Sequence, residues 1–157
     1  MRRRIALIGA LSLVPPSLLT FCSISDPKSE KTTAMTSKPS TPEEALTAVG
    51  LPVPDAELTL SEGIVNTELL EWSLRVTFTG SAETVQTWMA DAFGEGTNGL
   101  PVSEDGAPIS PRIAPEEVHT GMRWESGSNP RDPNATYTVL ISSDGTDVVV
   151  AAARTTR

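Results

Sequence analysis

Apolar and polar residues alternate without a break from Leu70 to Thr79. Leu70, Trp72, Leu74, Val76 and Phe78 stand on one side, and Glu71, Ser73, Arg75, Thr77 and Thr79 on the other. A period of two marks a β-strand with one buried and one wet face, as antiparallel sheets provide. The period then changes. Val85, Trp88, Met89, Ala92 and Phe93 recur at helical spacing behind Ser81, a capping residue, and Gly94 stands where a helix ends. A helix over Ala82–Phe93 is therefore expected to lie across the strand and cover its Trp72–Phe78 face, which makes Trp72 and Trp88 core residues.

Weaker patterns flank this pair. Thr41-Pro42-Glu43-Glu44 predicts a short helix with Thr41 as N-cap, Pro42 in the first turn and Glu44 closing a capping box, ended by Gly50. Glu57–Ser61 alternates as a strand. From Glu95 to His119 glycines and prolines (Gly96, Gly99, Pro101, Gly106, Pro108, Pro111, Pro115) break every period. So long a loop in a compact domain is typically functional or mobile, and only Pro115–Val118 has the form of a helical turn. Thr120–Glu125 predicts a short strand carrying Met122 and Trp124, and Ser126–Ala135 another loop. Thr136–Ser142 and Asp147–Arg154 are β-rich runs joined by Asp144-Gly145, a hairpin signal. The expected fold is α+β, in the order α-β-β-α-β-β-β: about five mostly antiparallel strands with one main helix, Ala82–Phe93, on one face. The folded part is expected to be a single domain over residues 41–157.

The N-terminus reads differently. Arg2, Arg3 and Arg4 precede an uncharged apolar run from Ile5 to Phe21, broken by Pro15-Pro16. A spanning helix needs about 20 apolar residues and tolerates a central Pro-Pro poorly, so residues 1–22 read as a signal sequence rather than a permanent span. Leu18-Leu19-Thr20-Phe21-Cys22 resembles the lipobox of bacterial lipoproteins, with Phe21 departing from the family's small residue before the cysteine. The resemblance implies lipid attachment at Cys22 and an anchor on the outer face of the cell membrane. Cleavage after Ser25, at a site with small residues at Ser23 and Ser25, remains the alternative and releases a secreted protein. Residues 23–40 are rich in Ser, Thr, Lys and Pro, and read as a disordered tether with an average reach of about 20–25 Å. With the "VTFTG" step at Val76–Gly80 before the helix, the organisation resembles small exported proteins and lipoproteins of unknown function from high-G+C Gram-positive bacteria. That resemblance assigns no residue a role.

Charge narrows the partners. The chain has 157 residues with 12 basic against 20 acidic, net −8, and three of the basic ones lie in the signal sequence. The exported part is thus more acidic still. Such a surface repels phosphate backbones and anionic lipid headgroups. No nucleic acid is expected as a partner, and no membrane contact beyond the N-terminal segment or its lipid. Cys22 is the only cysteine, so no internal disulfide forms.

Candidate chemistry is sparse. His119, the only histidine, stands near Glu116 and Glu117, and a carboxylate–imidazole pair is the one acid–base arrangement on offer. It lacks the spacing of a zinc motif, and a solvated loop histidine is the plainer account. Ser25-x-x-Lys28 copies a penicillin-binding signature but lies in the tail without its partner motifs. Gly94–Gly99 is glycine-rich but precedes neither a helix start nor a lysine, so it is no phosphate cradle. Asp132-Pro133-Asn134, with Asn129, has turn chemistry rather than a calcium loop. Arg123 and Trp124 have the composition of a binding anchor, although a tryptophan on a strand more often serves the core. No catalytic residue, cofactor or metal is expected. The expectation is a non-enzymatic envelope protein that binds an envelope or secreted protein or a cell-wall component. Its candidate surfaces are the 95–119 loop and the Glu71–Thr79 polar face, with His119, Arg123 and Trp124 as weak candidates. A small His/carboxylate hydrolase or transferase, and an acidic inhibitor or immunity-type partner of a cationic exported protein, are the alternatives.

Overall fold

The long alternating strand becomes the second of six in one antiparallel sheet. The computed structural model describes residues 37–65, 67–103 and 109–156, all within one compact unit. The expected signal sequence, Cys22 and most of the expected tether lie outside these residues. The elements run α1 (Pro42–Ala48), β1 (Leu58–Glu62), β2 (Leu70–Thr79), α2 (Ala82–Phe93), β3 (Leu100–Pro101), a 3-10 turn (Pro115–Glu117), β4 (Arg123–Asn129), β5 (Asp132–Ile141) and β6 (Asp147–Thr155). Across the sheet the order is β1-β2-β6-β5-β4-β3, and every adjacent pair is antiparallel. After β2 the chain crosses the sheet by way of α2 to the far edge, then meanders back until β6 inserts beside β2. Among the described residues no helix is long and apolar enough to cross a membrane.

Both helices cover one face. There Leu74, Val76 and Phe78 of β2, Val139 and Ile141 of β5, and Val148, Val150 and Ala152 of β6 meet Leu46 and Val49 of α1 and Val85, Trp88 and Met89 of α2. The α2 face is the one its spacing predicts. Trp88 stacks edge-on against Phe78 with centroids 5.1 Å apart and donates its indole N–H to the Pro52 carbonyl at 2.9 Å. That bond lets a large aromatic be buried without an unsatisfied donor. Ser81 caps α2 by accepting from the Thr84 amide at 3.1 Å. At α1, Thr41 accepts from the Glu44 amide at 3.2 Å, but the Glu44 carboxylate reaches back to Ser40, amide and hydroxyl, both at 2.9 Å. The expected capping box is displaced by one residue.

Three expectations change. Among the described residues there are six strands, not about five, because Leu100–Pro101 adds a two-residue edge strand. The 120–125 strand runs instead from Arg123 to Asn129, and most of the expected 126–135 loop is the end of β4, a tight turn at Pro130-Arg131 and the start of β5. Ser126-Gly127-Ser128 offers no apolar periodicity, so its pairing is invisible locally. It pairs because Gly127 leaves room for the cross-strand Tyr137 ring, whose hydroxyl a Cβ there would strike. The third change concerns the second face of the sheet, which is not uniformly wet. Val102, Ile113, Leu140 and Ala151 form a second buried cluster, joined by Ile109, Val118, Met122, Trp124 and Val149. The described parts of the long segment after α2 are a cover for half of this face. Ser73, expected in water, is also buried, with its hydroxyl against Gly63.

Candidate functional site

The acid–base candidate comes apart. Glu117 lies in the 3-10 turn above β2, and Arg75 reaches up from the second face to meet it. Arg75 Nη1 donates to Glu117 Oε2 at 2.6 Å, and Nη2 donates to the other oxygen, a fork that occupies both carboxylate oxygens. The Ala114 amide also donates to Oε2 at 3.3 Å. These bonds, Arg75 foremost, hold the Glu117 carboxyl below the ordinary glutamate range. A general base working near neutrality needs the opposite shift. His119 is exposed, with its backbone amide directed at the Met122 sulfur at 3.3 Å. Among the described residues no group of three or more His, Cys, Asp or Glu side chains is placed to hold a metal ion.

Arg123, Trp124 and His119 do not converge. Arg123, on the helix face of β4, points its Nη1 at the Asn98 and Gly99 carbonyls at 3.4 and 3.3 Å. It borders a cleft of about 210 Å³ between α2 and the β5–β6 turn. Trp124 turns to the opposite face and packs, half-buried, into the second cluster. The Asp132–Asn134 segment is likewise committed. Asp132 accepts from Arg154 Nε at 2.7 Å and from the Asn134 amide at 3.3 Å. Asn129 ties the turn to α1, donating to the Ala48 carbonyl at 2.9 Å.

Arg154 was not among the sequence candidates. Its side chain is 4% exposed and lies between Asp132 and Glu71, forming an ion pair with each. It continues the helix-face row of Val148, Val150 and Ala152 into a position where an apolar residue is expected, and that break in period is the signal that marks it. Glu71 sits where the β2–β6 register slips between Leu70 and Trp72. A bulge there re-aims a side chain that strict alternation sends to the other face. The triad locks the ends of β2, β5 and β6 and is structural. Arg112, whose Nη1 donates to Thr136 at 2.7 Å, is pushed down in pKa by burial and likewise fastens the cover to the sheet.

What stays open is the other half of the second face. Thr59, Thr77 and Val149 are cross-strand neighbours on β1, β2 and β6, and Thr79 and Asp147 form the next row. Together with Glu57 they border a furrow of about 340 Å³ that runs across the strands to the β1 edge. Asp147 accepts from the Thr79 hydroxyl at 2.7 Å, so a carboxylate and a row of threonines line the floor. The polar-face expectation therefore divides. Ser73 and Arg75 are taken up by the fold, Glu71 by Arg154, and Thr77 and Thr79 remain available. The chain matches no family model, no curated protein and no solved structure.

Proposed function

We propose that the chain is a non-enzymatic binding module, exported by its N-terminal signal and held at the membrane through Cys22, and that its binding surface is the β1 side of the sheet. One observation carries the reading. β1 leaves an edge of the sheet unpaired among the described residues, directly beside the threonine and carboxylate furrow. The hydrolase alternative is weakened at the same time, because one of the two carboxylates it could use, Glu117, is occupied by Arg75, while Glu116 is exposed. Envelope or secreted proteins are the partner class that fits an exported acidic module.

The test is site-specific photo-crosslinking in the native host. A photoreactive residue at Thr59 is expected to yield a discrete adduct, and one at Thr87, on the outer side of α2, none. Absence of an adduct from every β1-side position, together with loss of the biological effect in His119→Ala, would turn the account toward catalysis.

A further inference from the structure

Resting on that reading, we propose that β1 takes up an extended, cationic polypeptide segment as a seventh, antiparallel strand. The two edges of the sheet differ in a way that points there. The far edge, β3, is two residues long and one of them is Pro101, so it cannot template a further strand. β1 is five residues long, contains no proline, and pairs with β2 in unbroken register from Leu58↔Phe78 to Glu62↔Leu74. Of the usual devices that blunt an edge, its own five residues carry only one charged side chain, Glu62 at the end.

The outward-facing backbone groups follow from parity. Gly63 donates its amide to the Ser73 carbonyl at 3.0 Å, and in an antiparallel ladder alternate residues face the partner strand. Thr59 and Ser61 thus bond to β2, while Leu58, Leu60 and Glu62 turn their N–H and C=O groups away from the sheet. Their side chains stand on the helix face, where Leu58 and Leu60 are half-buried against the main core. Among the described residues, two of the exposed large apolar side chains flank β1 in sequence, Val53, at 47%, before it and Ile64, at 51%, just after it.

The occupant is chosen by charge and shape. A strand pairing with Leu58 and Leu60 sets alternate side chains over those leucines, which suits apolar residues. The intervening side chains fall on the second face at the mouth of the furrow. A lysine or arginine there lays its stem across Thr77 and Val149 and brings its head to Glu57 and Asp147. About 340 Å³ is at the lower bound of small-ligand pockets and leaves ample room for one long side chain. A second copy of this chain fits less well, because it sets one acidic edge against another. Lys38, which pairs with Glu62 at the end of β1, marks the charge that a guest strand would supply.

The test uses the full chain, isotope-labelled for NMR, and a capped octapeptide of alternating lysine and valine. The expected result is saturable binding that weakens with salt, with amide shifts confined to β1 and the furrow. Glu57→Gln with Asp147→Asn should weaken it about five- to tenfold, the scale of two partly exposed charge pairs. In antiparallel pairing the valines, not the lysines, direct their N–H groups at the edge. N-methylation of the valines is therefore expected to abolish binding, and N-methylation of the lysines to spare it. Equal binding by the valine-methylated peptide would mean that charge alone holds it, and would overturn strand addition. A full chain that is dimeric on its own, with the outward β1 amides protected, would assign the edge to a second copy and overturn the cationic guest. No peptide binding with a persistent Thr59 adduct would leave the module reading standing and remove this one.

Discussion

Arg154 lies between two carboxylates that are not equally sheltered, and this asymmetry sets the outcome of mutating each member. The guanidinium is 4% exposed, whereas the Asp132 and Glu71 side chains are 17% and 27% exposed. Removing a carboxylate leaves a cation that water cannot reach with one partner instead of two. Removing the cation leaves two carboxylates that can each turn toward solvent. Breaking a buried pair from one side costs about 3–5 kcal/mol when the charge left behind is uncompensated, and less when that charge can turn to solvent. Asp132→Ala is therefore expected to cost about 3 kcal/mol, and Arg154→Met, which keeps an unbranched apolar stem, about 1 kcal/mol. Asp132→Asn keeps an acceptor for the Arg154 Nε–H and should fall between them. Urea unfolding of the full chain reads the difference. With a slope of about 2 kcal/mol per molar, the Asp132→Ala midpoint drops by about 1.5 M and the Arg154→Met midpoint by about 0.5 M. A larger loss for Arg154→Met than for Asp132→Ala would refute the reasoning, since the triad would then be stabilising through its charge rather than costly to leave incomplete.

Other outcomes follow from the same contacts. Because Arg75 lowers the Glu117 carboxyl, that pair contributes stability that is fully present above the unfolded value of about pH 4.3 and lost as pH falls through the lower folded value. In Arg75→Met the acid limb of the stability–pH curve should flatten, and an unchanged limb would contradict the pairing. Ile113→Ala should cost about 2–4 kcal/mol if the 109–118 segment is a packed cover, against under about 0.5 kcal/mol for a loop lying free, as thermal unfolding would show. Gly63→Ala places a Cβ 2.8 Å from Ser73 Cβ and 2.9 Å from its backbone carbon, and should lower stability by about 1–3 kcal/mol. A neutral result there would mean that the β1–β2 pairing is looser than its register implies.

The central strand and helix were readable because each keeps one period over many residues and each is capped by its own sequence. Leu70–Thr79 and Ala82–Phe93 fall where alternation and helical spacing place them. The second cluster was not readable, because it joins Val102 and Ile113, isolated apolar residues among prolines, to Leu140 and Ala151, which are distant in the chain. Local pattern carries no information on such a contact. The fate of Arg75 was hidden for the same reason: its partner, Glu117, is 42 positions away. Glu117 and His119, close in sequence, invited a pairing that long-range geometry pre-empts. The open edge is a property of strand order alone. β1 alternates as an ordinary strand, and only the strand order, with β6 on the other side of β2, leaves it without an outer neighbour among the described residues.

Amide hydrogen exchange along β1 tests whether this edge is where the protein works. In the free chain the Thr59 and Ser61 amides, bonded to β2, should exchange slowly, and those of Leu58 and Leu60 fast. On addition of the lysine–valine octapeptide the Leu58 and Leu60 amides should gain protection while the rest of the sheet stays unchanged. Leu58 and Leu60 amides that exchange as fast with the peptide as without it, while the peptide demonstrably binds, would contradict the account.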